Sequence, residues 1–107
     1  MRIISRRTLR EFIAKRAGHK DQPAVKAALD AWLAEVSRAS WASPADVKRL
    51  YATASIVSAD RIVFNIKGND YRLVVGVDFG KAIVWIKRIG AHKDCDRIEV
   101  REAEHGD

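Results

Sequence analysis

Two runs of β-branched and aromatic residues, separated by a glycine–asparagine pair, constrain this chain more than any other feature. Arg61-Ile62-Val63-Phe64-Asn65-Ile66 and Tyr71-Arg72-Leu73-Val74-Val75-Gly76-Val77 read as strands. Gly68-Asn69 between them has the composition of a two-residue hairpin turn. Such a turn fixes the register: Lys67 faces Asp70, Ile66 faces Tyr71 and Asn65 faces Arg72. Side chains alternate across a strand, so one face carries Ile62, Phe64, Ile66, Tyr71, Leu73 and Val75. Helices are expected to cover that face. The other carries Val63, Asn65, Lys67, Asp70, Arg72 and Val74.

Residues 82–89 have the same composition and read as a third strand. With Phe79-Gly80 as a second two-residue turn, Arg72 faces Lys87 and Val74 faces Trp85. Asn65, Arg72 and Lys87 then form a row on the uncovered face. Like charges directly opposite one another destabilise a sheet, so this row calls for an anion such as a phosphate. Asp70 or Asp78 could neutralise it instead, and a register one residue different would dissolve it.

The first half reads as helical. Arg2-Ile3-Ile4 makes a short opening strand. Thr8 and Glu11 have capping-box spacing, with Ser5 as an alternative start, and Leu9, Phe12, Ile13 and Ala17 follow at helical intervals up to Gly18. A second helix begins with Asp21 as cap and Pro23 in its first turn, and buries Val25, Ala28, Leu29, Trp32, Leu33 and Val36 as one stripe. A third, capped by Ser43 with Pro44 first, reaches about Tyr51. Residues 52–59 show no period and read as a loop. The sum is an α+β domain: a short N-terminal strand, then two or three helices packed on one face of an antiparallel sheet.

The 107 residues suit a single domain, expected over residues 1–98, with 99–107 as an acidic tail. The net charge of +6 is unevenly spread. Residues 1–93 hold 18 Lys and Arg against 8 Asp and Glu, while residues 94–107 hold 2 against 6. A basic body suits a polyanion such as RNA, though basic composition also serves solubility alone. Arg6, Arg7, Arg10, Lys15 and Arg16 on the first helix could meet ribosomal RNA or simply form a solvated face. No apolar run is long enough for a membrane span and none follows the N-terminal arginines, so a cytoplasmic protein is expected. The lone Cys95 excludes an internal disulfide, and no His or acidic cluster has metal-ligand spacing. No phosphate loop and no Gly-x-Ser-x-Gly motif is present.

Beyond the last strand, Gly90-Ala91-His92-Lys93-Asp94-Cys95-Asp96-Arg97 gathers charges around a histidine. With an unperturbed pKa of about 6.5, His92 suits proton transfer near neutrality, and a single histidine can equally be structural. His19 falls in a turn and His105 in the tail.

These segments carry a family resemblance. Val63-Phe64-Asn65-Ile66-Lys67-Gly68-Asn69-Asp70-Tyr71-Arg72-Leu73-Val74-Val75 resembles the central motif of HigB toxins, within the RelE-like superfamily. Gly90-Ala91-His92-Lys93-Asp94-Cys95-Asp96-Arg97-Ile98, the Trp32 region and Trp41-Ala42-Ser43-Pro44-Ala45-Asp46 fit the same family, over about residues 1–98. The resemblance implies a RelE-like α+β fold and a metal- and cofactor-free endoribonuclease that cuts messenger RNA, typically on the ribosome. It also implies neutralisation by a HigA-type helix-turn-helix antitoxin. Cys95 departs from the pattern, since relatives usually carry tyrosine there; a thiol of ordinary pKa, about 8.5, is mostly protonated at neutrality and cannot stack on a base.

For that chemistry the expected catalytic residues are Arg72 as phosphate holder, Lys87 for positive potential, His92 for proton transfer and Lys93 as cation or acid. Asn65, Lys67, Asn69 and Arg88 are expected to contact RNA, with Asn69 alternatively only a turn residue. A non-catalytic RNA- or ribosome-binding domain is the alternative reading, and a module whose basic face binds an acidic protein is a third.

Overall fold

The order of elements follows from where apolar residues recur. The structure, a computed structural model, describes residues 1–68 and 70–91. Strand β1 (Arg2–Ile4) leads into helices α1 (Arg6–Lys15), α2 (Gln22–Arg38) and α3 (Pro44–Leu50). Strands β2 (Ser55–Ser58), β3 (Arg61–Ile66), β4 (Tyr71–Asp78) and β5 (Ile83–Ala91) follow. They form one five-stranded sheet in the order β1-β5-β4-β3-β2. All neighbours are antiparallel except β1, which lies parallel to β5.

The helices cover the face that the hairpin register predicts. Ile62, Phe64, Ile66, Tyr71, Leu73 and Val75 all enter the core, with Val25, Leu29, Trp32 and Val36 of α2 and Leu9 of α1. Phe64, only 1% exposed, is the hub. Trp32 meets it edge-on at 5.3 Å, Tyr51 edge-on at 5.1 Å, and Trp41 stacks at 6.2 Å between ring centroids. One ring thus ties α2, the segment before α3 and the end of α3 to β3. Each such pair adds about 0.5–1.5 kcal/mol beyond its area burial.

The helix starts differ from the expected capping in their details. Helix α1 takes the alternative start, after Ser5, a left-handed residue (φ 70°) without a side-chain cap, so Thr8 and Glu11 lie inside the helix. Glu11 pairs with Arg7 instead, at 3.0 Å. Asp21 and Ser43 occupy the cap positions of α2 and α3, but neither makes a side-chain cap hydrogen bond. At α3 the anchor is Asp46, which accepts from the Ala42 N–H at 2.8 Å and from Arg49 at 2.9 Å. Its charge at the helix start also complements the helix dipole.

The sheet has two strands more than the expected meander. Within residues 52–59, read as a loop, Ser55–Ser58 is an edge strand paired with β3. Ser55 and Ile56 are exposed, and the pairing shifts between Ile56 and Ser58. An edge strand held by backbone pairing rather than burial leaves no apolar period to read. The other addition is β1, expected as a strand but placed only by the structure, alongside β5.

Phe64→Ala is expected to lower unfolding free energy by about 3–5 kcal/mol, because it empties the hub of the aromatic cluster. Chemical denaturation of the two proteins measures the difference; a loss below about 1 kcal/mol would contradict the hub role.

Candidate nucleic-acid interface

The β3–β4 hairpin sets what the uncovered face displays. Its register is as expected: Asn65 opposite Arg72 and Ile66 opposite Tyr71. Beyond the last pair the Asp70 N–H donates to the Lys67 carbonyl at 3.2 Å, closing the turn of the hairpin. Lys67 and Gly68 both have positive φ, 53° and 64°. Gly68 adopts this at no cost; Lys67 is held there while its ammonium meets the Asp70 carboxylate at 3.0 Å.

The β4–β5 pairing differs from the expectation. Asp78 pairs with Ile83, so the connection spans four residues rather than the two-residue Phe79-Gly80 turn. The Asp78 side chain accepts from the Lys81 backbone N–H at 2.9 Å, and Ala82 is left-handed (φ 57°). An aspartate bonding its own downstream backbone builds a turn by itself, and that lengthens the loop. Further along, the pairing slips between Val74 and Val75. Val75 faces Ile86 and Val74 faces Arg88, leaving Lys87 as the extra residue of a β-bulge.

The expected row Asn65–Arg72–Lys87 is therefore corrected. Arg72 faces Gly90, and Val74 faces Arg88 rather than Trp85. The like-charge clash that seemed to demand an anion does not exist. The bulge instead achieves something alternation forbids. Arg88 shares the uncovered face with Val74, and the Lys87 stem lies over Gly76 on the same face, with Cε 3.1 Å from where a Gly76 Cβ would stand. Two successive cations thus point the same way.

Three cross-strand rows follow: Gly90–Arg72–Asn65, then Arg88–Val74–Val63–Ser55, then Ile4–Trp85–Gly76–Arg61. Successive rows stand roughly 7 Å apart, two residues along a strand. Arg72, Lys87, Arg88 and Arg61 are each partly exposed. The structure thereby brings Arg72, Lys87, Arg88 and Asn65 together. The Asn65 amide is engaged, donating to the Thr53 carbonyl at 3.2 Å, so it fastens the chain entering β2. Lys67 sits at the hairpin tip with its charge balanced by Asp70. Asn69, His92 and Lys93 lie outside the described residues, as does Cys95. Arg61 and Trp85 are additions to this face that sequence reasoning did not single out. Arg61 was readable by alternation from Val63 and Asn65; Trp85 stood on this face opposite Val74 in the expected register too, and the structure moves it opposite Gly76.

Behind Arg72, its neighbour Tyr71 is anchored in the other direction. The Tyr71 hydroxyl donates to the Asp21 carboxylate, which also receives Arg16 at 3.3 Å. The Arg16 guanidinium lies 5.0 Å from the Tyr71 ring centre and 5.7 Å from that of Phe12. This clamp ties the α1–α2 turn to the hairpin that carries Arg72, and it explains why Asp21 does not cap α2. Hydrogen bonding from Tyr71, then from Arg16, holds the Asp21 carboxyl below its ordinary range against partial desolvation. Burial, then the Asp21 contact, pushes the Tyr71 phenol up to about 12.

The HigB toxin family, described as the RelE-like toxic component of a toxin–antitoxin system, matches residues 25–98. The chain belongs to the HigB toxin family. No curated protein matches it. The three-helix, five-strand α+β architecture agrees with the RelE-like fold of that family. The family match takes in most of α2 and all of the sheet's uncovered face except β1, whereas the basic helix α1 precedes it. Among the described residues no group of three His, Cys, Asp or Glu could hold a metal ion, and no helix is long and apolar enough to cross a membrane.

The clamp makes a pH prediction for this HigB-family chain. Asp21, with its pKa lowered on folding, contributes stability above its ordinary value near 3.8 that is lost as pH falls. Tyr71, with its pKa raised, contributes stability below 10 that is lost as pH rises toward about 12. The stability gap between the native chain and Tyr71→Phe should therefore be a plateau from about pH 4 to 10 that narrows at both ends. Urea unfolding across pH tests it; a gap that stays constant above pH 10 would rule the clamp out.

Proposed function

We propose that this toxin is an endoribonuclease that cuts messenger RNA on the ribosome, and that a HigA-type helix-turn-helix antitoxin neutralises it. Membership of the HigB family supports the toxin role and an antitoxin partner. The observation that carries the RNA-directed reading is the bulge, which adds Lys87 and Arg88 to Arg72 and Arg61 on one sheet face. Such a face suits a phosphate backbone, and binding through it should weaken as salt rises.

The chemistry proposed needs no group beyond the chain and the RNA. The ribose 2′-oxygen attacks the adjacent phosphorus as a base removes its proton. The P–O5′ bond breaks as an acid protonates the leaving 5′-oxygen, giving a 2′,3′-cyclic phosphate and a 5′-hydroxyl end. The guanidinium of Arg72 offers two parallel N–H groups to the phosphate oxygens, and Lys87 adds charge where the crowded phosphorane gathers it. Arg88, with Asn65, Lys67 and Asn69 at the hairpin, is proposed to hold the flanking RNA. His92 is the proposed proton-transfer group and Lys93 its cationic or acidic neighbour, one and two residues beyond the end of β5.

Arg72→Ala, verified as folded, is expected to cut messenger RNA at least about a hundredfold more slowly and to relieve growth arrest on induction. Full cleavage and arrest by that variant would overturn the assignment. Translational arrest by the native chain without new 5′-hydroxyl ends would favour the non-catalytic ribosome-binding alternative.

A further inference from the structure

Tryptophan is seldom left outside a core, because its ring offers a domain so much apolar surface to bury. Two of the three tryptophans here, Trp32 and Trp41, are 2% and 6% exposed and pack on Phe64. Trp85 is different. It is partly exposed, belongs to no part of the core and joins none of the ring contacts around Phe64. It lies in the middle of the uncovered face, between Ile4 on β1 and Gly76 on β4, with Arg61 next in the row.

Gly76 shapes this spot. Its φ is ordinary, so its value lies in the missing side chain rather than in backbone freedom. A Cβ there would stand 3.1 Å from the Lys87 Cε and 3.7 Å from the Trp85 Cε3. The absent methyl lets an aromatic ring and a lysine stem lie side by side across β4. A flat ring flanked by cations on a sheet surface is the arrangement by which proteins hold unpaired bases: the ring takes the base's π-face while the cations take the phosphates on either side.

We propose that Trp85 is a stacking subsite for one unpaired nucleobase of single-stranded RNA, seated by Gly76, with the Lys87 stem beside it and Arg61 beyond Gly76 in the same row. The subsite rests on the RNA-directed reading of this face but not on cleavage. It adds a base contact to a surface otherwise built for phosphates, and stacking accepts any base. Gly76 is its positioning residue: the methyl of Gly76→Ala meets the ring at contact distance and must push the lysine stem aside by a few tenths of an ångström, while leaving every charge in place.

The test uses the full chain and two probes of equal length and charge, a 2′-O-methyl oligouridylate and the same oligomer with abasic sites throughout. The native chain should bind the base-bearing oligomer about tenfold more tightly, with quenching of tryptophan emission. Trp85→Leu should bind both probes equally and lose the quenching, while its salt dependence matches that of the native chain. Trp85→Phe should recover part of the preference, and Gly76→Ala should weaken it. Equal binding of both probes by the native chain, or an undiminished preference in Trp85→Leu, would overturn the subsite. Messenger-RNA cleavage is read separately. A chain that prefers the base-bearing oligomer but yields no cut ends keeps the subsite and loses the nuclease reading; one that cuts without the preference does the reverse.

Discussion

Alternation along the β3–β4 hairpin governs this molecule. Because the turn at Gly68 sets Ile66 against Tyr71, every apolar residue from Ile62 to Val75 that can reach the helices does so. A slip of one residue would bury Asn65 and Arg72 and expose Phe64 and Leu73, at a cost no domain of this size could absorb. The core therefore fixes the uncovered face. Arg72 lies there because its neighbours Tyr71 and Leu73 are buried.

Strand β5 breaks the rule at one point. Strict alternation would give one cation per two residues and send either Lys87 or Arg88 into the core. The bulge opposite Val74 and Val75 keeps Ile86 and Ile89 on the core side while both cations face away. The cost is one unpaired ladder position. A sheet face carrying Arg61, Arg72, Lys87 and Arg88 is the outcome, and Gly76 provides the space in which one of those cations lies beside Trp85.

How much of this the sequence shows depends on whether local or distant contacts decide it. The hairpin register, both of its faces and the α2 stripe are local and strong, and they are legible. The β4–β5 register is not, because two local details act together: the Asp78 side chain lengthens the loop, and the bulge adds one more residue of offset. The combined shift moves Arg72's partner from Lys87 to Gly90. Strand β2 is invisible because backbone pairing, not burial, orders it. Asp21 reads as a cap but serves the Tyr71–Arg16 clamp, a partnership 50 residues away that no local pattern announces. That Arg72 and Lys87 share the uncovered face was expected correctly; the row that joined them was not, and Arg88 reaches that face only through the bulge.

The central proposal is that RNA meets the uncovered sheet face. A nuclear magnetic resonance titration with a short 2′-O-methyl RNA tests this most directly. The account predicts that the Trp85 indole N–H and the backbone amides of Arg61, Arg72, Lys87 and Arg88 shift together. Shifts confined to Arg6, Arg7 and Arg10, with the β3–β5 amides unmoved, would contradict it.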